Sequence, residues 1–192
     1  MDNGGGLMKY LCGIDEAGRG PVAGPLVMAG VVLKNSINGL NDSKKLTEKK
    51  REKLYDTIIE NSIYHIVSFE AKTIDKLGIS ACLISGLKEI MQTIPSDEYL
   101  FDGNTTFGIL GLHCQIKADL DIAEVSAASI LAKVTRDRYM IELSKKYPDY
   151  GFEKHKGYGT KAHIDAIAKN GPSPIHRKSF RIKSLIYPQH PF

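Results

Sequence analysis

Apolar residues along the chain follow two spacings, one typical of strands and one typical of helices. Short β-branched or alternating runs predict strands, and apolar residues three or four positions apart predict helices. The predicted strands cover residues 10–14, 26–33, 64–70, 98–102 and a shorter run at 113–116. The predicted helices cover residues 47–60, 80–93, 125–147 and 160–170, with Thr47, Ser80 and Thr160 as caps and Thr73 as a further cap candidate.

Strands that alternate with helices indicate an α/β domain with a mixed central sheet flanked by helices. The first two strands are separated only by the glycine-rich loop 18–25, so they are predicted to be antiparallel neighbours. Residues 10–147 are expected to form the main domain. The segment 148–192 is too short for a core of its own, which predicts a small helical appendage packed on that domain, and residues 1–9 are expected to be a flexible leader.

Composition narrows the class of protein. Of the 192 residues 42% are hydrophobic, and no apolar run approaches the roughly 20 residues that cross a bilayer, so a membrane protein is not expected. The start of the chain has an acid and three glycines where a secretory signal needs basic and then apolar residues. Cys12, Cys82 and Cys114 fit neither a disulfide framework nor a zinc site, which favours a reducing cytoplasm.

Positive charge is concentrated near the end of the chain, although the net charge is only +4. Residues 154–183 include eight basic residues and a single acid, Asp165. The basic residues are Lys154, Lys156, Lys161, Lys169, Arg177, Lys178, Arg181 and Lys183. A polyanion is one partner that this pattern suits, and a solvated basic surface is the alternative.

Three segments carry acids at the ends of predicted elements: Asp15 with Glu16, Asp102, and Asp119. Neighbouring strand ends would bring them together, and two charges about 4 Å apart repel by roughly 4 kcal/mol at an effective dielectric near 20. Such a cluster requires cations, and ligands that are all oxygen favour Mg²⁺ or Mn²⁺. Because successive strand side chains alternate, Asp15 and Glu16 can share one site only if the strand ends or bulges there.

Each acid taken alone has an ordinary structural explanation. Asp102 with Gly103 is also a turn signal, Asp119 suits the positive end of a helix, and Asp121 competes for the same position. Taken together, the acids suit two divalent ions about 3.5–4 Å apart, an arrangement that activates water and stabilises the leaving oxygen in phosphodiester hydrolysis.

Six motifs together resemble ribonuclease HII, the type 2 ribonuclease H family. They occur in the family's order and span residues 10–184. The motifs are residues 13–21, 42–46, 102–103, 118–119 leading into 125–137, 156–160 and 176–180.

The resemblance implies a ribonuclease H fold with Mn²⁺ or Mg²⁺ as cofactor, two ions per site. It implies cleavage of the RNA strand of RNA–DNA hybrids and of single ribonucleotides embedded in duplex DNA, leaving a 3′-hydroxyl and a 5′-phosphate. The family's catalytic and metal-binding acids fall on Asp15, Glu16, Asp102 and Asp119. Counting back from residues 126–129 selects Asp119 over Asp121, and Glu124 adds another acid nearby.

The resemblance also assigns substrate-binding residues. The glycine-arginine-glycine motif falls on residues 18–20, Gly18, Arg19 and Gly20, whose bare backbone suits close approach to a 2′-hydroxyl. The substrate-sensing tyrosine falls on Tyr158, which would stack on the deoxyribose after the ribonucleotide; the alternative is an anchor for the appendage. Lys44, Lys45 and the C-terminal lysines would hold phosphates without sequence preference.

Two other functions compete with this hypothesis. One is a DNA nuclease of the same fold, such as a junction resolvase or an exonuclease, and the other is a nucleic-acid-binding module whose carboxylates are structural. We expect a monomer, and the tail 187–192 is a candidate segment for binding a replication clamp.

Overall fold

The computed structural model of the chain describes residues 10–40 and 46–181. The strands are β1 (Leu11–Ala17), β2 (Leu26–Leu33), β3 (Ser62–Phe69), β4 (Glu98–Asp102) and β5 (Leu112–Gln115). The helices are α1 (Glu48–Asn61), α2 (Ala71–Leu77), α3 (Ile79–Thr93), α4 (Ala123–Lys146), α5 (Phe152–His155) and α6 (Lys161–Asn170), with single 3₁₀ turns at Ala118–Leu120 and Pro148–Tyr150.

The five strands form one sheet in the order β3-β2-β1-β4-β5. β2 is antiparallel to both β1 and β3, whereas β4 is parallel to both β1 and β5. The predicted mixed sheet and its antiparallel first pair are therefore confirmed. Because β1 and β4 run in the same direction, their carboxyl ends lie at the same edge of the sheet.

β1 is longer than the sequence predicted. It continues to Ala17, which pairs with Val27 of β2, while its pairing with β4 stops at Ile14. The predicted end or bulge at Asp15 is wrong, because the long antiparallel neighbour keeps β1 extended after its parallel neighbour has ended.

Two predicted helix caps are confirmed and two are wrong. Thr47 accepts a hydrogen bond from the N–H of Lys50, and Thr160 accepts one from His163, both at 3.3 Å. Thr73 lies inside α2, which begins after Glu70, and Ser80 lies inside α3, which begins after Gly78. Gly78 both closes α2 and opens α3, so no hydroxyl cap is needed there.

The sheet is buried on both faces, which explains the nearly continuous apolar run of β2. Met28 and its neighbours on one face pack against α3, and Val27 and Val31 on the other face pack against α4. Burying one such aliphatic side chain stabilises the fold by about 1.5–3 kcal/mol. None of the helices in the described ranges is long and apolar enough to cross a bilayer.

The C-terminal segment packs on α4 and on the loop between β1 and β2. Phe152 and Met140 enclose Ala23 in a third, small apolar cluster. The carboxylate of Asp75 in α2 accepts hydrogen bonds from the N–H groups of Lys178 and Ser179 at 3.0 and 2.9 Å. The segment is thus tied to the sheet domain at both ends of its described part.

Candidate active site

Three aspartates from distant parts of the chain meet at the carboxyl edge of the sheet. Asp15, Asp102 and Asp119 each place one carboxylate oxygen within 4.8 Å of the other two. β1 carries Asp15, β4 ends on Asp102, and the 3₁₀ turn before α4 carries Asp119. The Asp102 carboxylate also accepts the N–H of Lys117 at 2.8 Å, which holds that turn against β4.

The cluster is electrostatically strained. Burial raises the pKa of Asp15 well above its usual range, and the charges of Glu16 and Asp102 raise it further, against the hydrogen bond from Ser129. Burial likewise raises the pKa of Asp102, with a further contribution from Asp119. Carboxyls held this close bind either protons or a cation, because repulsion and desolvation both disfavour the bare anions.

Glu16 occupies a different position from the three aspartates. It is not part of the group of carboxylate oxygens that lie within 4.8 Å of one another, although its charge raises the pKa of Asp15. Its Oε1 accepts a hydrogen bond from Arg19 at 3.3 Å, and its Oε2 is buried without a hydrogen-bond partner among residues 10–40 and 46–181. Burial raises the pKa of Glu16, against the opposing charge of Arg19.

These oxygens fit a hard divalent cation. The donors are all carboxylates, the ligand type that Mg²⁺ and Mn²⁺ prefer, and a buried Oε2 of Glu16 without a partner is open to coordination. Asp121, the competing acid in the sequence, is exposed and lies outside the group of three oxygens, whereas Asp119 is 2% exposed.

A cleft of about 340 Å³ opens beside Glu16. Its lining includes Glu16, the loop 18–20 and Tyr158, together with Arg51 and Lys133. A larger cavity of about 560 Å³ is lined by none of the acidic cluster, so size does not identify the site here. The cleft is open to solvent and its lining includes the cations of Arg51 and Lys133, which suits a charged backbone.

Two buried arginines hold the loop between β1 and β2. Arg177 donates to the carbonyls of Gly18 at 2.5 Å, Arg19 at 3.2 Å and Gly24 at 2.9 Å. Arg136 donates to the carbonyls of Ala23 at 3.1 Å and Pro25 at 2.9 Å. Burial, and then the charge of Arg136, lowers the pKa of Arg177 to about 10, which leaves it charged at neutral pH.

Arg177 determines which way two peptide groups of the loop point. In a planar trans peptide the N–H points away from the C=O. Since the carbonyls of Gly18 and Arg19 point at Arg177, the N–H groups of Arg19 and Gly20 point away from it. The carbonyls of Gly18 and Arg19 are therefore satisfied inside the protein, whereas the N–H groups of Arg19 and Gly20 make no hydrogen bond within the described residues.

Sequence reasoning missed both arginines. Arg177 belongs to the basic segment that suits a polyanion, yet it is 2% exposed, and Arg136 in α4 is 0% exposed. One signal was present: Arg136 continues the row of buried residues at 128 and 132, at a spacing of four. Arg177 lies in the motif at residues 176–180, but no pattern in the sequence distinguishes its buried side chain from a surface charge.

Tyr158 reaches the cleft from the C-terminal segment. Tyr158 is 45% exposed, and its ring lies 5.7 Å from the guanidinium of Arg136. The preceding residue, Gly157, accepts the N–H groups of Val22 at 3.0 Å and Ala23 at 3.3 Å. A Cβ on Gly157 would lie 2.3 Å from the Ala23 carbonyl, so only glycine permits this approach. The structure thus brings Tyr158 beside residues 18–20, whereas Lys44 and Lys45 lie outside the described residues.

Comparisons with known proteins agree on one family. The model of the family ribonuclease HII matches residues 12–183. A ribonuclease HII from Sulfurovum sp. (strain NBC37-1) is 64% identical over 180 residues, which are 94% of this chain and 96% of that protein.

Solved structures show the same fold. A ribonuclease HII of Archaeoglobus fulgidus, solved in complex with PCNA, is 27% identical with a TM-score of 0.77, over 91% of this chain and 96% of that one. A ribonuclease H2 of Pyrococcus horikoshii OT3 is 30% identical with a TM-score of 0.71, over 89% and 93%. The ribonuclease H-like fold that the sequence resemblance implied is confirmed. With its family match, its close relatives and its acidic cluster, the chain belongs to the ribonuclease HII family, which cuts the RNA strand of RNA–DNA hybrids endonucleolytically and uses divalent metal ions.

Proposed function

We propose that the acidic cluster hydrolyses the phosphodiester on the 5′ side of a ribonucleotide, including a single ribonucleotide embedded in duplex DNA, and leaves a 3′-hydroxyl and a 5′-phosphate. The observation that carries this proposal is the position of the cluster: three aspartate oxygens within 4.8 Å of one another lie beside a cleft lined by the bare backbone of residues 18–20. Attack on a phosphate and recognition of the neighbouring sugar can then occur together.

In this proposal Asp15, Glu16, Asp102 and Asp119 hold two Mg²⁺ or Mn²⁺ ions. When bound, such ions act as Lewis acids that activate water and stabilise charge on the leaving oxygen. The protein orients the ligands: the N–H of Glu16 donates to Asp15 at 2.7 Å, and the N–H of Lys117 fixes Asp102.

The loop 18–20 would recognise the ribose of the substrate. A 2′-hydroxyl is the one group that distinguishes RNA from DNA at a single nucleotide. The N–H groups of Arg19 and Gly20 supply donors, and the space that a Cβ on Gly20 would enter is open, with nothing within 4 Å of that position, which lets a ribose approach. Arg51 and Lys133 at the rim, with Lys44 and Lys45, would hold phosphates.

Substrate choice tests this proposal. A duplex with one embedded ribonucleotide is expected to be cut at its 5′ side in the presence of Mg²⁺, whereas the all-DNA duplex of identical sequence stays intact. Gel analysis of end-labelled strands, with and without EDTA, measures both. Equal cleavage of the two duplexes would favour a DNA nuclease of the same fold, and binding without cleavage of either would favour a binding module.

Tyr158→Ala is expected to lower kcat/KM about tenfold on the single-ribonucleotide duplex, because stacking of one ring on a nucleotide contributes about 1–3 kcal/mol. A continuous RNA–DNA hybrid without a nearby junction should lose less than half of its cleavage rate. Tyr158→Phe keeps the ring and is the matched control. A uniform loss on both substrates would make Tyr158 a structural anchor of the C-terminal segment.

We further propose that the protein works as a cytoplasmic monomer and that the tail 187–192, which lies outside the described residues, binds a replication clamp. The support for the clamp is the A. fulgidus relative, which was solved in complex with PCNA. Deletion of residues 187–192 should remove co-elution with the clamp of the same organism and leave cleavage of a short duplex unchanged.

A further inference from the structure

Behind Tyr158 lies a cluster of three histidines that the cleavage reaction does not use. His163 of α6 is 0% exposed, and His176 in the C-terminal segment is 5% exposed. Their Nε2 atoms lie 2.9 Å apart. The ring of His155 stacks on that of His163, with centroids 4.2 Å apart and an angle of 16° between planes.

The hydrogen bonds around these rings run in one direction. The N–H of Ser173 donates to Nδ1 of His176 at 2.8 Å, so that nitrogen carries no proton. The proton of neutral His176 is then on Nε2 and is donated to Nε2 of His163. His163 therefore carries its proton on Nδ1, which donates to the carbonyl of Tyr158 at 2.9 Å. A backbone N–H at one end and a backbone carbonyl at the other determine both tautomers.

Burial disfavours a further proton on either ring, and for His163 it outweighs the Tyr158 carbonyl, which raises the pKa of that imidazole. Burial lowers the pKa of both His163 and His176 to about 4, with smaller contributions from the neighbouring imidazoles. The rings of Tyr150 and Phe152 cover the remaining faces, and the cation next along the chain is Arg177. A proton added to His163 would set two N–H groups against each other, so the chain of hydrogen bonds exists only while both rings are neutral.

The backbone of Tyr158 is held by three hydrogen bonds, and its ring lies 5.7 Å from the guanidinium of Arg136. Tyr158 is half exposed, its N–H donates to the His155 carbonyl at 2.9 Å, and its carbonyl accepts from Thr160 at 2.8 Å as well as from His163. Those contacts set where the ring emerges into the cleft.

We propose that His163 and His176 are positioning residues: their neutral hydrogen-bonded pair orients the peptide of Tyr158 so that its ring meets the nucleotide after the ribonucleotide. The inference rests on the role proposed above for Tyr158. It adds that substrate selectivity depends on the tautomer of two side chains that never touch the nucleic acid.

The first test does not depend on cleavage. Long-range ¹H–¹⁵N NMR spectra of the histidine rings in the intact protein at pH 7 should show His163 protonated at Nδ1 and His176 at Nε2, with neither ring titrating between pH 8 and pH 5.5. The opposite tautomer at His163, or a titration midpoint near 6.5 for either ring, would overturn the proposal.

The second test uses two amides of similar size. An asparagine amide lies near the position of Nδ1 and a glutamine amide near that of Nε2. His163→Asn keeps a donor for the Tyr158 carbonyl, whereas His163→Gln keeps only an acceptor for His176. We expect His163→Gln to lower the ratio of kcat/KM on the single-ribonucleotide duplex to that on a continuous hybrid about fivefold to tenfold, the effect of one lost hydrogen bond, and His163→Asn to retain that ratio within about twofold.

The outcomes separate this inference from the proposed function. If Tyr158→Ala lowers the ratio and His163→Gln does not, the histidine pair has no positioning role although Tyr158 still senses the substrate. If Tyr158→Ala leaves the ratio unchanged, the role of Tyr158 itself fails, whatever the NMR spectra show. An equal loss of the ratio in His163→Asn and His163→Gln would contradict the positioning role and indicate a merely structural histidine.

Discussion

Replacing Asp15 by asparagine is expected to reduce cleavage at least about 1,000-fold and, at the same time, to raise the melting temperature of the metal-free protein. The loss of activity follows because a metal ligand stabilises transition-state charge by several kcal/mol. The gain in stability follows from the raised pKa of Asp15, which burial and the charges of Glu16 and Asp102 produce. The asparagine oxygen still accepts the N–H of residue 16.

The sign of the stability change is set by proton linkage. Because the pKa of Asp15 is higher in the folded state, the unfolded chain releases this proton first as pH rises above about 4. The folded state therefore loses stability from that pH up to the folded pKa, and the deficit persists at pH 7. Asparagine does not ionise, so the Asp15→Asn variant lacks this deficit in stability. For a chain of this size each kcal/mol of added stability raises the melting temperature by about 2–4 °C.

Two controls accompany this variant. Asp121→Asn, at an exposed acid outside the cluster, should change neither activity nor melting temperature. Addition of Mg²⁺ should raise the melting temperature of the wild type and not that of Asp15→Asn, since only an intact site gains stability from its ligand. Retained turnover in Asp15→Asn, or loss of turnover in Asp121→Asn, would contradict the assignment of the ligands.

Gly18→Ala is expected to lower kcat/KM about 100-fold on every substrate and to lower the melting temperature. Gly18 has φ +94°, and a Cβ there would lie 2.2 Å from Nε of Arg136 and 2.4 Å from the Pro25 carbonyl. The backbone conformation alone costs about 1–2 kcal/mol for a residue with a side chain. Moving the loop by about 1 Å would misplace the substrate beside the acids, an error that costs about 100-fold in rate.

Gly20→Ala separates the effect on stability from the effect on activity. No atom lies within 4 Å of a Cβ built on Gly20, so this variant should keep the wild-type melting temperature. Differential scanning calorimetry gives the stability of both variants, and steady-state kinetics gives their activity. A Gly18→Ala protein with normal stability and normal kcat/KM would show that the two arginines do not hold the loop in its active geometry.

The sequence predicted those parts of the fold that depend on local chemistry. The strand Glu98–Asp102 was predicted with its observed bounds, and the Thr47 and Thr160 caps follow from a hydroxyl at the start of a periodic segment. The end of β1 was missed because it depends on pairing with β2, whose partner residues are ten or more positions away. Pairing of this kind produces no pattern in the residues of β1 from which its end could be predicted.

The candidate site shows the same division. The acids were predicted from their places after apolar runs and from their resemblance to a family pattern, and the structure brings Asp15, Asp102 and Asp119 together. Arg136 and Arg177 were not recognised, because a buried cation is identifiable only from its acceptors, and these are carbonyls more than 100 positions away in the chain. A basic residue in a sequence predicts a solvent-exposed side chain or contact with a polyanion. These two arginines are instead buried, and they hold the loop between β1 and β2.

The most direct test of the account is an anomalous difference map from a crystal of the wild-type protein soaked in Mn²⁺. We expect a peak within about 2–2.5 Å of carboxylate oxygens of Asp15, Asp102 and Asp119, a normal range for hard divalent ions, with Glu16 available to a second ion. No peak at this edge of the sheet at millimolar Mn²⁺, or a peak held by Asp121 and not by Asp119, would contradict the account.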